Sequence, residues 1–200
     1  MDAALREADE EVGLKREFIE PIERVTARGI VTKGGEERAQ DAIVLATGFE
    51  AAEAKPPFLV TGRDGVTLEE AWRDGIEAYY GCTVSGFPNM FMMIGPNCGL
   101  GHSSMIYMME AQAAYVLDAI RTIRREKLAF VDVRRDVQRA FNERLQRRLA
   151  KTVWATGGCA SWYKTKDGKN TTLWPGFTFE FKWKTRRFDA ESYSLARQGS

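Results

Sequence analysis

Apolar residues recur at helical spacing through the middle of the chain. Ile106, Met109, Ala113, Val116, Leu117, Ile120 and Ile123 predict a long helix from Ser104 onward, packed along one face. Upstream the pattern is short and β-like, at residues 18–19, 22–25 and 29–32, and Gly34-Gly35 supplies a hairpin turn. Two runs are apolar throughout, 42–46 (AIVLA) and 90–94 (MFMMI), as in strands buried on both faces. Residues 3–14 predict a short amphipathic helix, 68–73 another, 130–133 a strand and 136–150 an arginine-rich helix. From Trp154 to Tyr193 the chain is aromatic and glycine-rich with little periodicity.

Residues 50–68 are irregular, with Pro56-Pro57 and the turn former Gly62-Arg63-Asp64-Gly65, which suits a crossing segment between two units. A boundary near residues 48–50 follows, giving units 1–49 and 50–200. The fold class predicted is α/β.

Composition narrows the function. Of 200 residues, 44% are hydrophobic and 28% charged, the balance of a soluble globular chain, and the net charge of +1 gives no overall pull toward nucleic acid or anionic membrane. No apolar run approaches the roughly 20 residues of a spanning helix. The acidic, polar start does not read as a secretory signal. Cys82, Cys98 and Cys159 lack C-x-x-C spacing, which argues against a disulfide framework and a zinc site and for a reducing, cytoplasmic setting. His102 is the single histidine, so no site needing two imidazoles is expected and no metal is assigned. Arg134, Arg135, Arg139, Arg144, Arg147 and Arg148 are interrupted by Asp136 and Glu143, the pattern of a solvated helix face.

The sharpest local signal is GPNCGLGHSS at 95–104, between an apolar run and the long helix. Such a junction gathers backbone N–H groups and the positive end of a helix dipole. Ser103 or Ser104 suits the N-cap, and Gly95, Gly99 and Gly101 permit positive φ and close backbone approach. Residues 99–104 fall one short of G-x-G-x-x-G. The third position is Ser104, and no acidic residue ends a following strand at about 20 residues, since Asp118 lies inside the helix. The near-match to a dinucleotide-phosphate motif is therefore weak: the junction suits negative charge, whether phosphate or the electron-rich edge of a reduced ring, and glycines that only turn a corner would give the same pattern. Cys98 sits beside a helix N-terminus, a setting that can lower a thiol pKa, but no partner base is in view and a nucleophilic role is not expected. The methionines at 92, 93, 105, 108 and 109 read mostly as core, and the tail tryptophans 154, 162, 174 and 183 as packing anchors.

DAIVLATGF at 41–49 resembles the "D-x-(hydrophobic)-A-T-G-F" segment of flavin-dependent monooxygenases, especially the Baeyer–Villiger type and its flavin-containing relatives. GFPNMF at 86–91 followed by Gly95-Pro96-Asn97 resembles their "GFPN-(L/M)-F…GPN" segment, and GGCASWY…GKNTTLWPG resembles the end of one branch. The ordered set covers residues 17–193. The resemblance implies the C-terminal portion of a fold with two dinucleotide-binding domains, one for FAD and one for NADPH. Residues 1–49 would close the NADPH-domain sheet, and 50–200 would complete the FAD domain. The candidate cofactor-contacting residues are Thr47 and Gly48 at the hinge, with Gly95, Pro96, Asn97, Gly99, Leu100, Gly101, His102 and Ser103 at the flavin edge. Met105 is the candidate for an apolar substrate pocket, and no residue is assigned a catalytic role.

The family's two G-x-G-x-x-G motifs and its active-site arginine segment find no match in the chain. The implied function is therefore the C-terminal portion of an FAD- and NADPH-dependent monooxygenase, inactive alone. With an N-terminal half, supplied as a separate chain or otherwise, it would insert one oxygen atom from O2 into a ketone or transfer it to a soft heteroatom. The competing expectations are a non-catalytic binding module descended from such enzymes, and a non-functional fragment with exposed apolar surface.

Overall fold

The structure is a computed structural model that describes residues 15, 17, 20–43, 56, 58–156, 163–165 and 167–197. The expected helix at 3–14, the β-like pair 18–19 and most of the run 42–46 lie outside the described residues, as do Thr47 and Gly48. The chain divides into two units, Met1–Phe49 and Glu50–Ser200.

The first unit carries an antiparallel meander of β1 (Ile22–Val25), β2 (Gly29–Thr32) and β3 (Glu37–Ala39). Gly34-Gly35 makes the β2–β3 turn, with Gly35 at φ 85°. The third strand was not legible, because Glu37-Arg38-Ala39 is polar and wholly exposed. Gly29 faces Ala39 so closely that a Cβ there would collide with the Arg38 carbonyl.

The second unit is built around helices. A four-residue helix α1 (Leu68–Ala71) opens on a reciprocal cap: Thr67 Oγ1 accepts the Glu70 amide at 3.2 Å and Glu70 returns a carboxylate to the Thr67 amide at 2.7 Å. Thr67→Ala should lower stability by about 1 kcal/mol, read from a urea melt, because it leaves an orphan amide at the helix start. The helix anchors a small cluster of Leu68, Ala78, Val84 and Phe87.

The long helix α2 (Met105–Glu126) begins on Ser104, whose Oγ accepts the Tyr107 amide at 3.4 Å, and ends on Lys127 in the left-handed region. It leads into β4 (Leu128–Val133), which pairs antiparallel with β5 (Tyr193–Arg197). Between them come α3 (Arg135–Leu149), α4 (Val153–Thr156) and α5 (Thr178–Lys184). The main core joins Met108, Ala111, Tyr115 and Ala119 of α2 to Val131 and Val133, Phe141 and Leu145, Leu173, Trp174 and Phe181.

Two expectations need correction. The helix α2 exists, but its buried stripe is Met108, Ala111, Gln112, Tyr115, Ala119 and Thr122. Ile106, Met109, Leu117 and Ile120, expected inside, are exposed. Small and amphipathic side chains let the loops approach this helix, so its buried face is the less hydrophobic one. Residues 90–94 form no strand. A two-sided apolar strand needs ladder partners, and the described residues offer none. The run is held instead by Met92 N–H on the Cys82 carbonyl at 2.7 Å and Ile94 N–H on Gln112 Oε1 at 2.8 Å.

Candidate functional site

The loop 95–104 is assembled from three separate stretches of chain. Residues 79–83 double back in a tight turn, with Tyr80 at φ 48° and Gly81 at φ 61°. Ile94 is also left-handed, at φ 53°, a conformation that costs a β-branched residue on the order of 1–3 kcal/mol. Gly95 N–H then donates to the Gly81 carbonyl at 3.2 Å.

Residues 97–99 lie against the tail. Asn97 and Gly99 N–H groups donate to the Thr171 and Thr172 carbonyls, both at 2.8 Å, and Trp174 N–H returns a bond to the Gly99 carbonyl. Asn97, left-handed at φ 58° and buried, adds its side-chain amide to the Asn170 and Leu173 carbonyls at 2.9 and 3.0 Å. None of Gly95, Gly99 and Gly101 has positive φ; Ile94 and Asn97 take that role. The glycines serve close approach. A Cβ on Gly95 would strike the Gly81 carbonyl, one on Gly99 would lie 2.8 Å from the Thr172 carbonyl, and one on Gly101 2.8 Å from the Trp154 ring.

The loop thus has two halves. In the first, the amides of Gly95, Asn97 and Gly99 are consumed inside the protein, Pro96 has none, and Leu100 packs on the core. In the second, Gly101, His102, Ser103 and Ser104 are exposed; Ser103 Oγ lies 3.5 Å from Thr178 Oγ1. Ser104 caps only Tyr107, so helix geometry leaves the Met105 and Ile106 amides without intrahelical acceptors, at the positive end of a 22-residue dipole. These amides and the exposed residues 101–104 are what the site offers a ligand.

An apolar cavity of about 660 Å³ adjoins the first half, lined by Phe58, Trp72, Ile76, Met92, Ile94, Gly95, Pro96 and Gly99. Met105 is half-buried and does not line it. Of the other methionines, Met108 is wholly buried, whereas Met93 and Met109 are exposed. Among the tryptophans, Trp174 is core and Trp154 packs partly against it, but Trp183 is 65% exposed; Trp162 lies outside the described residues.

The helix terminus does not lower the Cys98 pKa, and no nucleophilic role arises there. Burial pushes its thiol well up, and the Cys82 thiol up to about 12, because a thiolate would lose its solvation there. Both are inert packing groups. Three of the six arginines at 134–148 pair with acids: Arg134 with Asp136, Arg139 with Glu143, and Arg148 with Glu180 at 2.6 Å. The Arg148 guanidinium holds the Glu180 carboxyl down at about 2.

Sequence reasoning missed Gln112, a buried amide in an apolar stripe, and the row Gln138, Asn142 and Gln146 along α3. The row binds the backbone at Ser85, Ala78 and Asn170. A polar side chain at i, i+4 and i+8 facing the core was the available signal. No group of His, Cys, Asp and Glu that could hold a metal occurs among the described residues, and none of their helices is long and apolar enough to cross a membrane.

The architecture is that of the C-terminal portion of an α/β fold with two dinucleotide-binding domains. The closed crystal structure of cyclohexanone monooxygenase superposes with a TM-score of 0.73 at 25% identity, over 89% of this chain and 34% of that one. OTEMO in complex with FAD and NADP superposes with 0.69 at 24% identity, over 92% and 35%. No family model matches the chain.

Sequence relatives fix the family. A Baeyer–Villiger monooxygenase of Pseudomonas aeruginosa is 52% identical over 177 residues, and one of Streptomyces coelicolor 44%, each over 88% of this chain and 34% of the relative. An FAD-binding monooxygenase of Aspergillus niger is 41% identical over 184 residues, 90% of this chain and 30% of the relative. The chain spans about a third of the length of these relatives. It corresponds to a C-terminal part of a flavin-dependent monooxygenase of the Baeyer–Villiger family.

Proposed function

We propose that this chain supplies the flavin-edge part of an FAD- and NADPH-dependent monooxygenase that oxygenates a ketone or a soft heteroatom, and that it is inactive until further polypeptide completes it. The observation that carries the reading is the open N-terminus of α2. Its Met105 and Ile106 amides, flanked by exposed Gly101, His102 and Ser103, suit the electron-rich carbonyl edge of an isoalloxazine ring. The residues present fit that group: 101–104 carry no acidic side chain of their own, and Trp154 packs against Gly101 to hold the loop from one side. FAD, when bound, would supply the redox chemistry. The chain's own part is to stabilise negative charge on the ring edge, with Gly95, Pro96, Asn97, Gly99 and Leu100 fixing the loop behind it. Thr47 and Gly48 would form the hinge between an NADPH-domain end, residues 1–49, and the FAD-domain part, residues 50–200. Met105 stays a candidate for the substrate side.

The need for more polypeptide is supported by surface that a finished core would cover. Ile106, Met109, Leu117 and Ile120 run at 3-, 8- and 3-residue steps along one side of α2, all exposed. Residues 90–94 present an apolar run with no ladder partner among the described residues. The complement is the remaining two thirds of a family chain.

The test mixes this chain with the N-terminal two thirds of the Pseudomonas aeruginosa relative. The chain alone should retain no FAD absorbance and oxidise no NADPH, while the mixture does both. A chain that melts cooperatively at a temperature indifferent to FAD, and whose mixture stays colourless, would favour the binding-module reading instead.

A further inference from the structure

Gln112 is wholly buried on α2, about two turns beyond the helix start. Its carboxamide is committed to the loops around it. Oε1 accepts the Ile94 N–H at 2.8 Å, and Nε2 donates to the Tyr80 carbonyl at 2.9 Å and to Cys98 Sγ at 3.1 Å. The orientation follows from the partners, since a backbone N–H can only donate and a carbonyl only accept. Both amide hydrogens are placed.

The three partners are not random points on the surrounding chain. Ile94 is a β-branched residue held left-handed at φ 53°. Tyr80 starts the turn with Gly81, both left-handed. Cys98 lies between left-handed Asn97 and the closely packed Gly99. One side chain, rooted on the helix whose N-terminus the loop opens, therefore grips both ends of residues 94–98 and the turn beneath them.

We propose that Gln112 is the positioning residue of this site, a buried amide clamp that holds the strained Ile94 and the Tyr80–Gly81 turn in place so that the loop is preformed at the α2 N-terminus. The clamp is a property of the loop itself. Its consequence, a seat that need not be ordered when flavin arrives, rests on the reading of residues 95–104 as the flavin edge.

Two variants separate clamping from space filling. Gln112→Met keeps the volume and loses every hydrogen bond. Gln112→Glu keeps an acceptor for Ile94 N–H and offers at most one proton where the amide placed two, on Tyr80 and Cys98. Hydrogen exchange on the 200-residue chain should show Gln112→Met speeding exchange at Ile94 and Gly95 at least tenfold relative to the α3 amides. Gln112→Glu should leave Ile94 near its wild-type protection while Cys98 becomes accessible to a thiol reagent. Exchange raised uniformly along the chain, or unchanged at Ile94 in Gln112→Met, overturns the clamp.

In the mixture with the relative's N-terminal part, Gln112→Met should weaken FAD binding about tenfold and leave the KM for NADPH unchanged. An unchanged FAD affinity despite a loosened Ile94 overturns the positioning role. A wild-type mixture that binds no FAD sinks the flavin reading, while the exchange result still decides the clamp.

Discussion

Gly81→Ala should cost the fold about 2–5 kcal/mol, whereas Gly86→Ala should cost about 1 kcal/mol. Both glycines sit at positive φ, 61° and 89°, so both substitutions strain the backbone. They differ in the space a methyl group would enter. At Gly86 nothing lies within 4 Å of the new Cβ, and backbone strain is the whole effect. At Gly81 the methyl would overlap Cys98 Sγ, with the Pro96 carbonyl at 3.0 Å and Gln112 Nε2 at 3.3 Å. Those neighbours are backbone, or groups wholly buried and hydrogen-bonded, so none can step aside cheaply. Urea melts of the two variants check the contrast. Equal losses would mean that strain alone governs the turn and that its packing against residues 96–98 matters little.

The contrast also shows what the sequence could and could not carry. The helix α2 and its serine cap were legible, because hydrophobic spacing and a Ser-Ser pair are local signals. Which face it buries was not. The helix has two apolar sides, and periodicity favoured Ile106, Met109, Leu117 and Ile120 over the Ala and Gln positions that its own chain packs against. The run 90–94 has strand composition, but a ladder needs a partner, and composition does not report whether one is at hand.

The candidate site was half legible in the same way. Glycines marked a place where backbones come close. Their purpose, to let residues 95 and 99 press on residues 81 and 172, depends on contacts 14 and 73 positions away in the chain. Asn97 reaching the Asn170 carbonyl is equally non-local. Irregular backbone buried without a sheet must find its hydrogen bonds in other loops and, where those do not reach, in side chains. In this chain carboxamides share that work: Gln112 serves residues 80 and 94, Asn97 serves 170 and 173, and Gln138, Asn142 and Gln146 serve 85, 78 and again 170. Carboxamides suit the task because they donate and accept without a charge to desolvate.

Asp189→Ala should destabilise the chain by about 2–4 kcal/mol, since it strips the shared acceptor from a buried tyrosine cluster. Asp189 Oδ2 accepts from Tyr79 OH at 2.6 Å, and Oδ1 from Tyr115 OH. Tyr115 OH also lies 3.0 Å from Tyr193 OH, which in turn lies 3.0 Å from Thr83 Oγ1. The cluster fastens the tail to α2 and to the turn that carries Gly81. Tyr115→Phe in the Asp189→Ala background should cost less than in wild type, by a coupling of about 1–2 kcal/mol, because its partner is already gone. The tyrosines add a pH signature. Burial, helped by the Asp189 charge, raises the Tyr79, Tyr115 and Tyr193 hydroxyls above their ordinary value of 10.0. In the unfolded chain they ionise near 10, while in the folded one they stay protonated, so stability is full below pH 10 and falls as pH rises beyond it. Each such tyrosine adds about 1.4 kcal/mol of loss per pH unit. Urea melts between pH 9 and pH 11 should therefore show a steeper alkaline fall for wild type than for Tyr115→Phe. Parallel curves would mean that Tyr115 ionises as freely in the folded chain as in the unfolded one.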